Sequence, residues 1–123
     1  MKKLIDIFLD NLMAKLNTVI TNFKVYYEKA PDNAVYPYGV VPDLSISNLS
    51  YGYQCLFDVE VYINELSTSN VEALCDSLRT SLDGYNYQNS IVGFHISFEN
   101  QYLGKMTEQD SSMRRVSFIA RIF

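Results

Sequence analysis

The segment from Tyr53 to Asn64 constrains the fold more than any other part of the sequence, because every second residue in it is apolar. One side of this alternation consists of Tyr53, Cys55, Phe57, Val59, Val61 and Ile63. The other side includes the polar residues Gln54, Asp58, Glu60 and Asn64. Successive side chains of a β-strand point to opposite faces of its sheet, so the pattern predicts a strand with one buried face and one wet face.

Two other segments have the spacing of amphipathic helices. The first runs from Lys2 to about Ile20, and its apolar stripe contains Ile5, Phe8, Leu12, Leu16 and Val19. The second begins at Ser69-Asn70-Val71-Glu72, the spacing of a capping box in which the serine and glutamate side chains satisfy backbone donors. It ends at Asp83-Gly84, a plausible stop signal.

Shorter alternating segments predict four further strands. Three of them carry the apolar sets Phe23, Val25 and Tyr27; Val92, Phe94, Ile96 and Phe98; and Val116, Phe118, Ala120 and Ile122. The fourth runs from about Tyr38 to Asn48 and contains Pro42, which predicts an edge, a bulge or a break. The polar residues 100–112 predict a long connection between the last two strands. The predicted order is α-β-β-β-α-β-β, an α+β fold with two helices on one face of a largely antiparallel sheet.

Composition favours one globular domain over residues 1–123. The 123 residues are 48% hydrophobic and 20% charged, which suits a single core. Asp6 and Asp10 interrupt the apolar residues of the N-terminal segment, and no run approaches the length of a membrane span, so we expect neither export nor a membrane partner. Cys55 and Cys75 belong to no metal-binding or redox motif, and we expect buried, reduced thiols in a cytoplasm.

The residues offer little support for catalysis or cofactor binding. The single histidine, His95, lies on the polar side of its predicted strand, and nothing in the sequence places it beside a serine or cysteine nucleophile. Asp58 and Glu60 share a strand face about 7 Å apart and suit either paired catalytic carboxylates or a solvated or interface face. The sequence contains no phosphate-binding or calcium-loop motif. A net charge of −4 disfavours a dedicated DNA-binding protein. We therefore expect no enzyme, no cofactor and no metal.

Tyrosine is the unusual component of the sequence. The chain has ten tyrosines, seven phenylalanines and no tryptophan. Several tyrosines fall in predicted turns or at strand ends: Tyr36, Tyr38, Tyr51, Tyr85, Tyr87 and Tyr102. Tyrosine is enriched in protein interfaces, but it also covers the ends of sheets, and both interpretations remain open. Stacking on bases is a third interpretation, which the acidic balance disfavours.

Charge is also unevenly distributed. The charged residues between 54 and 83 are mostly acidic, whereas those between 105 and 123 are mostly basic. Such asymmetry permits head-to-tail contact between copies. The candidate interface residues are Tyr36, Tyr38, Tyr51, Tyr102, Met106, Arg114, Arg115 and Arg121, with Asp58 and Glu60 as candidates to face a channel or an interface.

Five segments, taken in order, resemble a known protein family. They are Val25-Tyr26-Tyr27-Glu28-Lys29-Ala30-Pro31-Asp32-Asn33-Ala34, Tyr36-Pro37-Tyr38-Gly39-Val40-Val41, Phe57-Asp58-Val59-Glu60-Val61-Tyr62, Leu82-Asp83-Gly84 and Arg115-Val116-Ser117-Phe118-Ile119-Ala120-Arg121-Ile122. The combination resembles the small phage tail terminator proteins, also called tail completion or tail-to-head joining proteins. The resemblance spans nearly the whole chain.

The resemblance implies a structural virion protein assembled in the host cytoplasm. Such a protein would form a hexameric ring on the last ring of the tail tube, stop its polymerisation and present a surface to the head-tail connector protein. DNA would pass through without specific binding. Two alternatives remain: a head-closure or connector protein of the phage neck, and a small cytoplasmic ligand-binding or enzymatic α+β domain, motivated by Asp58 and Glu60.

Overall fold

A computed structural model describes residues 4–50, 52–63, 68–102 and 112–123. These residues form two helices and seven strands. In chain order they are α1 (Leu4–Val19), β1 (Lys24–Tyr27), β2 (Tyr38–Val41), β3 (Leu44–Leu49), β4 (Gly52–Ile63), α2 (Thr68–Leu82), β5 (Asn86–Gln88), β6 (Gly93–Tyr102) and β7 (Ser112–Ile122).

The strands form one mixed sheet built around β4. Its order is β1-β2-β4-β7-β6-β5, and β3 pairs with β4 on the same side as β2. The long β4–β7 pair runs from Tyr53 opposite Ile122 to Ile63 opposite Ser112. All neighbouring strands are antiparallel except β1 and β2, which are parallel.

Both helices pack on one face of this sheet. The core contains Phe8, Leu12 and Leu16 from α1, Cys75, Leu78 and Leu82 from α2, and the alternating apolar residues of β4, β6 and β7. The Phe8 ring meets the Phe94 ring edge-on at 4.9 Å between centroids, which ties α1 to β6. Phe57 and Phe118 stack across the β4–β7 pair at 5.4 Å. The predicted α+β class and the predicted inward faces of β4, β6 and β7 are therefore confirmed.

The described part of the chain has two strands more than the predicted order. The stretch predicted from Tyr38 to Asn48 divides into β2 and β3, because the strand is interrupted at Pro42. A break was one of the three outcomes expected at this proline. The strand β5 was missed because it is only three residues long and too short to show alternation. The described order is α-β-β-β-β-α-β-β-β.

Two boundaries also differ from the prediction. The helix α2 already includes Thr68, so Ser69 lies in its first turn and is not the capping residue, and Glu72 contacts Arg114 instead. The predicted connection of residues 100–112 is shorter, because β6 continues to Tyr102 and β7 begins at Ser112; residues 103–111 lie outside the described part. Neither described helix has the length and apolarity needed to cross a membrane.

Candidate interaction surface

The sheet face opposite the two helices carries most of the candidate residues. We call it the outer face and define it by the strand registers: residues level with Asp58, Glu60 and Tyr62 of β4 point the same way. It comprises Lys24, Tyr26, Tyr38, Val40, Gln54, Leu56, Asp58, Glu60, Tyr62, Arg115, Ser117, Ile119 and Arg121, together with Ser45 and Ser47 of β3, Asn86 and Gln88 of β5, and His95, Ser97 and Asn100 of β6.

Tyrosine rings form a row across β1, β2 and β4 on the outer face. Tyr38 lies opposite Tyr62 in the strand register, and their rings stack at 5.2 Å between centroids. Tyr26 meets Tyr38 edge-on at 6.1 Å, and Tyr36 adds a fourth ring at 5.2 Å from Tyr38. Aromatic pairs of this kind contribute about 0.5–1.5 kcal/mol each beyond the area they bury. These contacts hold the rings against one another on the surface, and 41% of Tyr36 remains exposed.

An ion-pair network adjoins the tyrosine row. The Arg115 guanidinium lies 3.6 Å from Asp58 through Nε and 3.6 Å from Glu60 through Nη2. Ser117 donates its hydroxyl to Asp58 Oδ1 at 2.6 Å, and Tyr62 donates its hydroxyl to Glu60 Oε1 at 3.1 Å. The carboxylates are thus held by a cation and by hydroxyl donors within the same chain.

The electrostatics of the row follow from this arrangement. Partial burial, followed by the neighbouring Glu60 charge and its hydrogen bond, raises the pKa of Tyr62 from 10.0 to about 12. Burial, followed by the adjacent Tyr36, also raises the pKa of Tyr38. Both hydroxyls therefore stay protonated and neutral well above neutral pH, and Tyr62 remains a hydrogen-bond donor to Glu60.

The structure brings half of the predicted site residues together. Tyr36, Tyr38, Asp58, Glu60 and Arg115 lie at one end of the outer face. The backbone of Tyr102 pairs with that of Arg115 at the same end. The side chain of Tyr102 and all of Tyr51 and Met106 lie outside the described part of the chain.

The other two candidate arginines are placed differently. Arg121 is exposed on the outer face but lies six residues along β7 from Arg115, about 20 Å away at strand spacing. Arg114 points to the helix side, is only 3% exposed, and its Nε donates to Glu72 Oε1 of α2 at 3.2 Å. The sequence predicts Arg114 as an interface residue, but the structure places its side chain against α2, because neighbouring residues of a strand face opposite sides of the sheet.

The acidic and basic segments meet within one subunit. Arg114 pairs with Glu72, and Arg115 pairs with Asp58 and Glu60, because β4 and α2 both pack against β7. These charges stabilise the fold of the chain itself. The charge asymmetry of the sequence is thus not by itself an argument for head-to-tail contact between copies.

Sequence reasoning missed two tyrosines of the row, Tyr26 and Tyr62. Their signal was present in the alternation: Tyr62 falls on the same side of β4 as Asp58 and Glu60. A tyrosine on the polar side of a half-buried strand indicates an aromatic residue that the core does not absorb. Tyr26 likewise falls on the same side of β1 as the charged Lys24.

The histidine lies on the outer face, whereas both cysteines lie in the core. His95 is on the outer face, where its Nδ1 is 2.7 Å from Asn86 Oδ1. Cys55 and Cys75 are free and fully buried, as predicted. Burial raises the pKa of each thiol to about 12, so neither is a nucleophilic thiolate near neutral pH. Among the described residues, no three metal-ligating side chains come together.

Comparison with known proteins finds similarity in structure but not in sequence. No protein-family model matches the chain, and no curated protein matches its sequence. Among solved structures, the chain is similar to a chain of the structure described as "Virion of native gene transfer agent (GTA) particle". The TM-score is 0.58 at 18% sequence identity, and the match covers 90% of this chain and 83% of that chain. The chain therefore shares its fold with a chain found in a virion particle.

Proposed function

We propose that this chain is a structural protein of a phage or phage-like virion. The observation that carries the proposal is the similarity of its fold, over 90% of its length, to a chain of a gene transfer agent virion. The order of segments that resembles the tail terminator proteins, from Val25 to Ile122, supports the same role.

The specific role is that of a tail terminator. The chain forms a ring, hexameric by the family resemblance, at the head-proximal end of the tail tube, where it stops tube polymerisation and joins tail to head. Its partners are copies of itself, the tail tube protein and the head-tail connector protein. DNA passes through the ring without specific binding, and assembly takes place in the host cytoplasm.

The outer face supports an assembly role. It combines a tyrosine row with Leu56, which is 43% exposed, and with polar residues that tolerate water before contact is made. Protein interfaces are enriched in aromatic side chains of this kind. Beside the tyrosines, Arg115 pairs with Asp58 and Glu60, so these charges are already partnered within the subunit.

The same network argues against the enzymatic alternative. A carboxylate pair that acts in proton transfer needs a substrate within reach and a pKa suited to the step. Asp58 and Glu60 are instead bound to Arg115, Ser117 and Tyr62. We therefore propose a protein that works by contact and not by catalysis.

Particles assembled without this protein test the role. Electron microscopy of such particles is expected to show abnormally long tails, or tails detached from filled heads. Normal joined tails would contradict the terminator role. Heads that leak their DNA while the tails have normal length would instead identify a head-closure protein.

A further inference from the structure

The described strands leave three outer strands in the sheet, and an outer strand carries backbone N–H and C=O groups on its unpaired side. Such edges pair readily with other chains unless something blocks them. The three outer edges here belong to β1, to β5 with the part of β6 beyond it, and to β3. The first two edges are closed by hydrogen bonds within the described part of the chain, and the β3 edge is not.

A side chain closes the β1 edge. The Asn17 amide, at the end of α1, accepts a hydrogen bond from the Val25 N–H at 2.8 Å and donates one to the Val25 C=O at 3.2 Å. One amide thereby occupies both groups that a further strand would use at this residue. The charged Lys24 beside it adds a second obstacle to pairing.

The opposite edge is closed in a similar way. β5 has only three residues. Beyond it, the Ile96 N–H donates to the Tyr85 C=O at 2.9 Å, and the Ile96 C=O accepts from the Gly84 N–H at 2.8 Å. The Phe98 N–H then donates to Asp83 Oδ1 at 2.9 Å. A strand from another chain would have to break these bonds.

Among the residues that the structure describes, nothing closes the β3 edge in these ways. Its six residues, Leu44-Ser45-Ile46-Ser47-Asn48-Leu49, include no charge and no proline, and among the described strands β3 pairs only with β4. Ile46 is on the helix side, level with buried Cys55, yet it is 37% exposed. Leu49 is 41% exposed. This edge is long, neutral and partly apolar, which is the description of a strand-pairing site.

Because the other two edges are closed, the β3 strand of a second copy is the edge that can pair with β3. A head-to-tail sheet needs two different open edges on each chain, whereas a two-fold contact needs only one. We propose that β3 pairs antiparallel with β3 of a second copy, so that Ile46 lies opposite the partner's Ile46. A two-fold axis normal to the sheet keeps the helices of both copies on the same side of the joined sheet.

The sequence of β3 suits this register. Ser45-Ile46-Ser47 reads the same in both directions, so each Ser45 would lie opposite a Ser47 and the two isoleucines would cover each other. Hydroxyl pairs and apolar pairs directly across strands are favourable, and no like charges face one another. The pairing covers the exposed part of Ile46, which the chain itself leaves open.

This contact is separate from the proposed function. A two-fold contact closes after two copies and does not generate a six-membered ring, so it concerns the free chain in solution. One short strand pair lies at the small end of interface sizes, and the dimer should depend on concentration. The proposed function is tested on particles and this contact on purified protein, so each can fail without the other.

Sedimentation of the full chain tests the contact. We expect a monomer–dimer equilibrium over a concentration series up to about 1 mM, the weak end of specific association. Ile46→Lys places like charges opposite each other and should weaken dimerisation at least about tenfold. Ile91→Lys makes the same change at a residue that is 64% exposed and outside every strand, and it should leave the equilibrium unchanged. Circular dichroism of both variants should match that of the unchanged chain.

Disulfide formation tests the register. Residues directly opposite in an antiparallel pair have Cα atoms about 4.5–5.5 Å apart, within reach of a disulfide. Ile46→Cys should therefore link two copies under mild oxidation. Asn48→Cys, on the same side of β3, would stand about 14 Å from its counterpart and should not.

Three results would overturn the proposal. The first is a chain that stays monomeric at every concentration. The second is an assembly whose size is unaffected by Ile46→Lys. The third is a link that forms equally at residues 46 and 48, or more readily at residue 48.

Discussion

At the scale of single residues, Arg114 is the most deeply buried charge among the residues that the structure describes. Only 3% of it is exposed, and burial of an ion costs free energy unless a partner compensates for it. Glu72 supplies such a partner, with its carboxylate 3.2 Å from Nε. The pair ties α2 to β7, so its role is to hold the helix layer against the sheet.

Glu72→Gln is therefore expected to lower the free energy of unfolding by about 1–3 kcal/mol, because a charge-assisted hydrogen bond to a buried guanidinium is weakened. Urea denaturation measures this change. Asp76→Asn serves as the control, since Asp76 pairs with Arg79 on the surface and its loss should cost less than about 0.5 kcal/mol. Equal effects of the two variants would contradict a structural role for the buried pair.

The buried thiols predict a loss of stability at high pH. Burial raises the pKa of Cys55 and Cys75 from 9.0 to about 12, so the folded chain keeps protons that the unfolded chain releases above pH 9. Their contribution is fully present below pH 9 and is lost as the pH rises towards 12. The raised pKa of Tyr62, from 10.0 to about 12, acts in the same direction.

Urea denaturation between about pH 7 and about pH 11 measures this effect. The free energy of unfolding should stay level up to pH 9 and then fall. Cys75→Ala should be less stable at all pH values, because it leaves a cavity, but its decline above pH 9 should be shallower. A free energy that rises with pH in this range would contradict the account.

At the scale of elements, a glycine with a positive φ follows α2 and another begins β4. The two differ in how closely other atoms approach them. Gly84, at φ +83°, follows α2, and nothing lies within 4 Å of where a Cβ would be. Gly52, at φ +125°, begins β4, and a Cβ there would overlap the carbonyl oxygen of Ile122. The close approach of β4 and β7 therefore requires glycine at Gly52.

Alanine at each position separates the two effects. Gly84→Ala should cost about 1–2 kcal/mol of unfolding free energy, the cost of a left-handed conformation alone. Gly52→Ala should cost clearly more, because the methyl group would displace the backbone where the central strand pair begins. Thermal unfolding followed by circular dichroism gives the comparison. A Gly52→Ala protein as stable as Gly84→Ala would show that β4 and β7 do not approach this closely.

The sequence predicts an element well where one of its faces is buried. The alternation in β4, β6 and β7 and the stripes of α1 and α2 predicted their inward residues because the core selects apolar side chains at a fixed period. β3 lacks this signal: its residues are nearly all exposed, so no face is selected. β5 has too few residues for any period to show.

The candidate site was predicted in part for the same reason. Alternation correctly separates Asp58 and Glu60 from the core. It would also have assigned Arg114 and Arg115 to opposite faces, had it been applied to the residues before Val116. Arg115 pairs with Asp58 and Glu60 because β4 lies beside β7. No local pattern in the sequence specifies this pairing of strands.

At the scale of the whole molecule, the outer face should govern entry into particles without governing folding. Leu56→Lys places a charge at a residue 43% exposed near the middle of that face, beside Ile119 in the register. The variant should keep the melting temperature within a few degrees. Its incorporation into particles should fall by about tenfold, equivalent to about 1.4 kcal/mol.

Ile91→Lys is again the matched control, because Ile91 is exposed but lies off the sheet. Quantitative immunoblotting of purified particles compares the two variants. If Leu56→Lys enters particles as efficiently as Ile91→Lys, the outer face is not the assembly surface.

The most direct measurement of the central claim is the position of the chain in the particle. Purified particles can be labelled with gold-conjugated antibodies against this protein and viewed by electron microscopy. The account predicts gold at the junction of head and tail, on most particles and nowhere else along the tail. Gold along the whole tail, or particles that carry none of the protein, would contradict it.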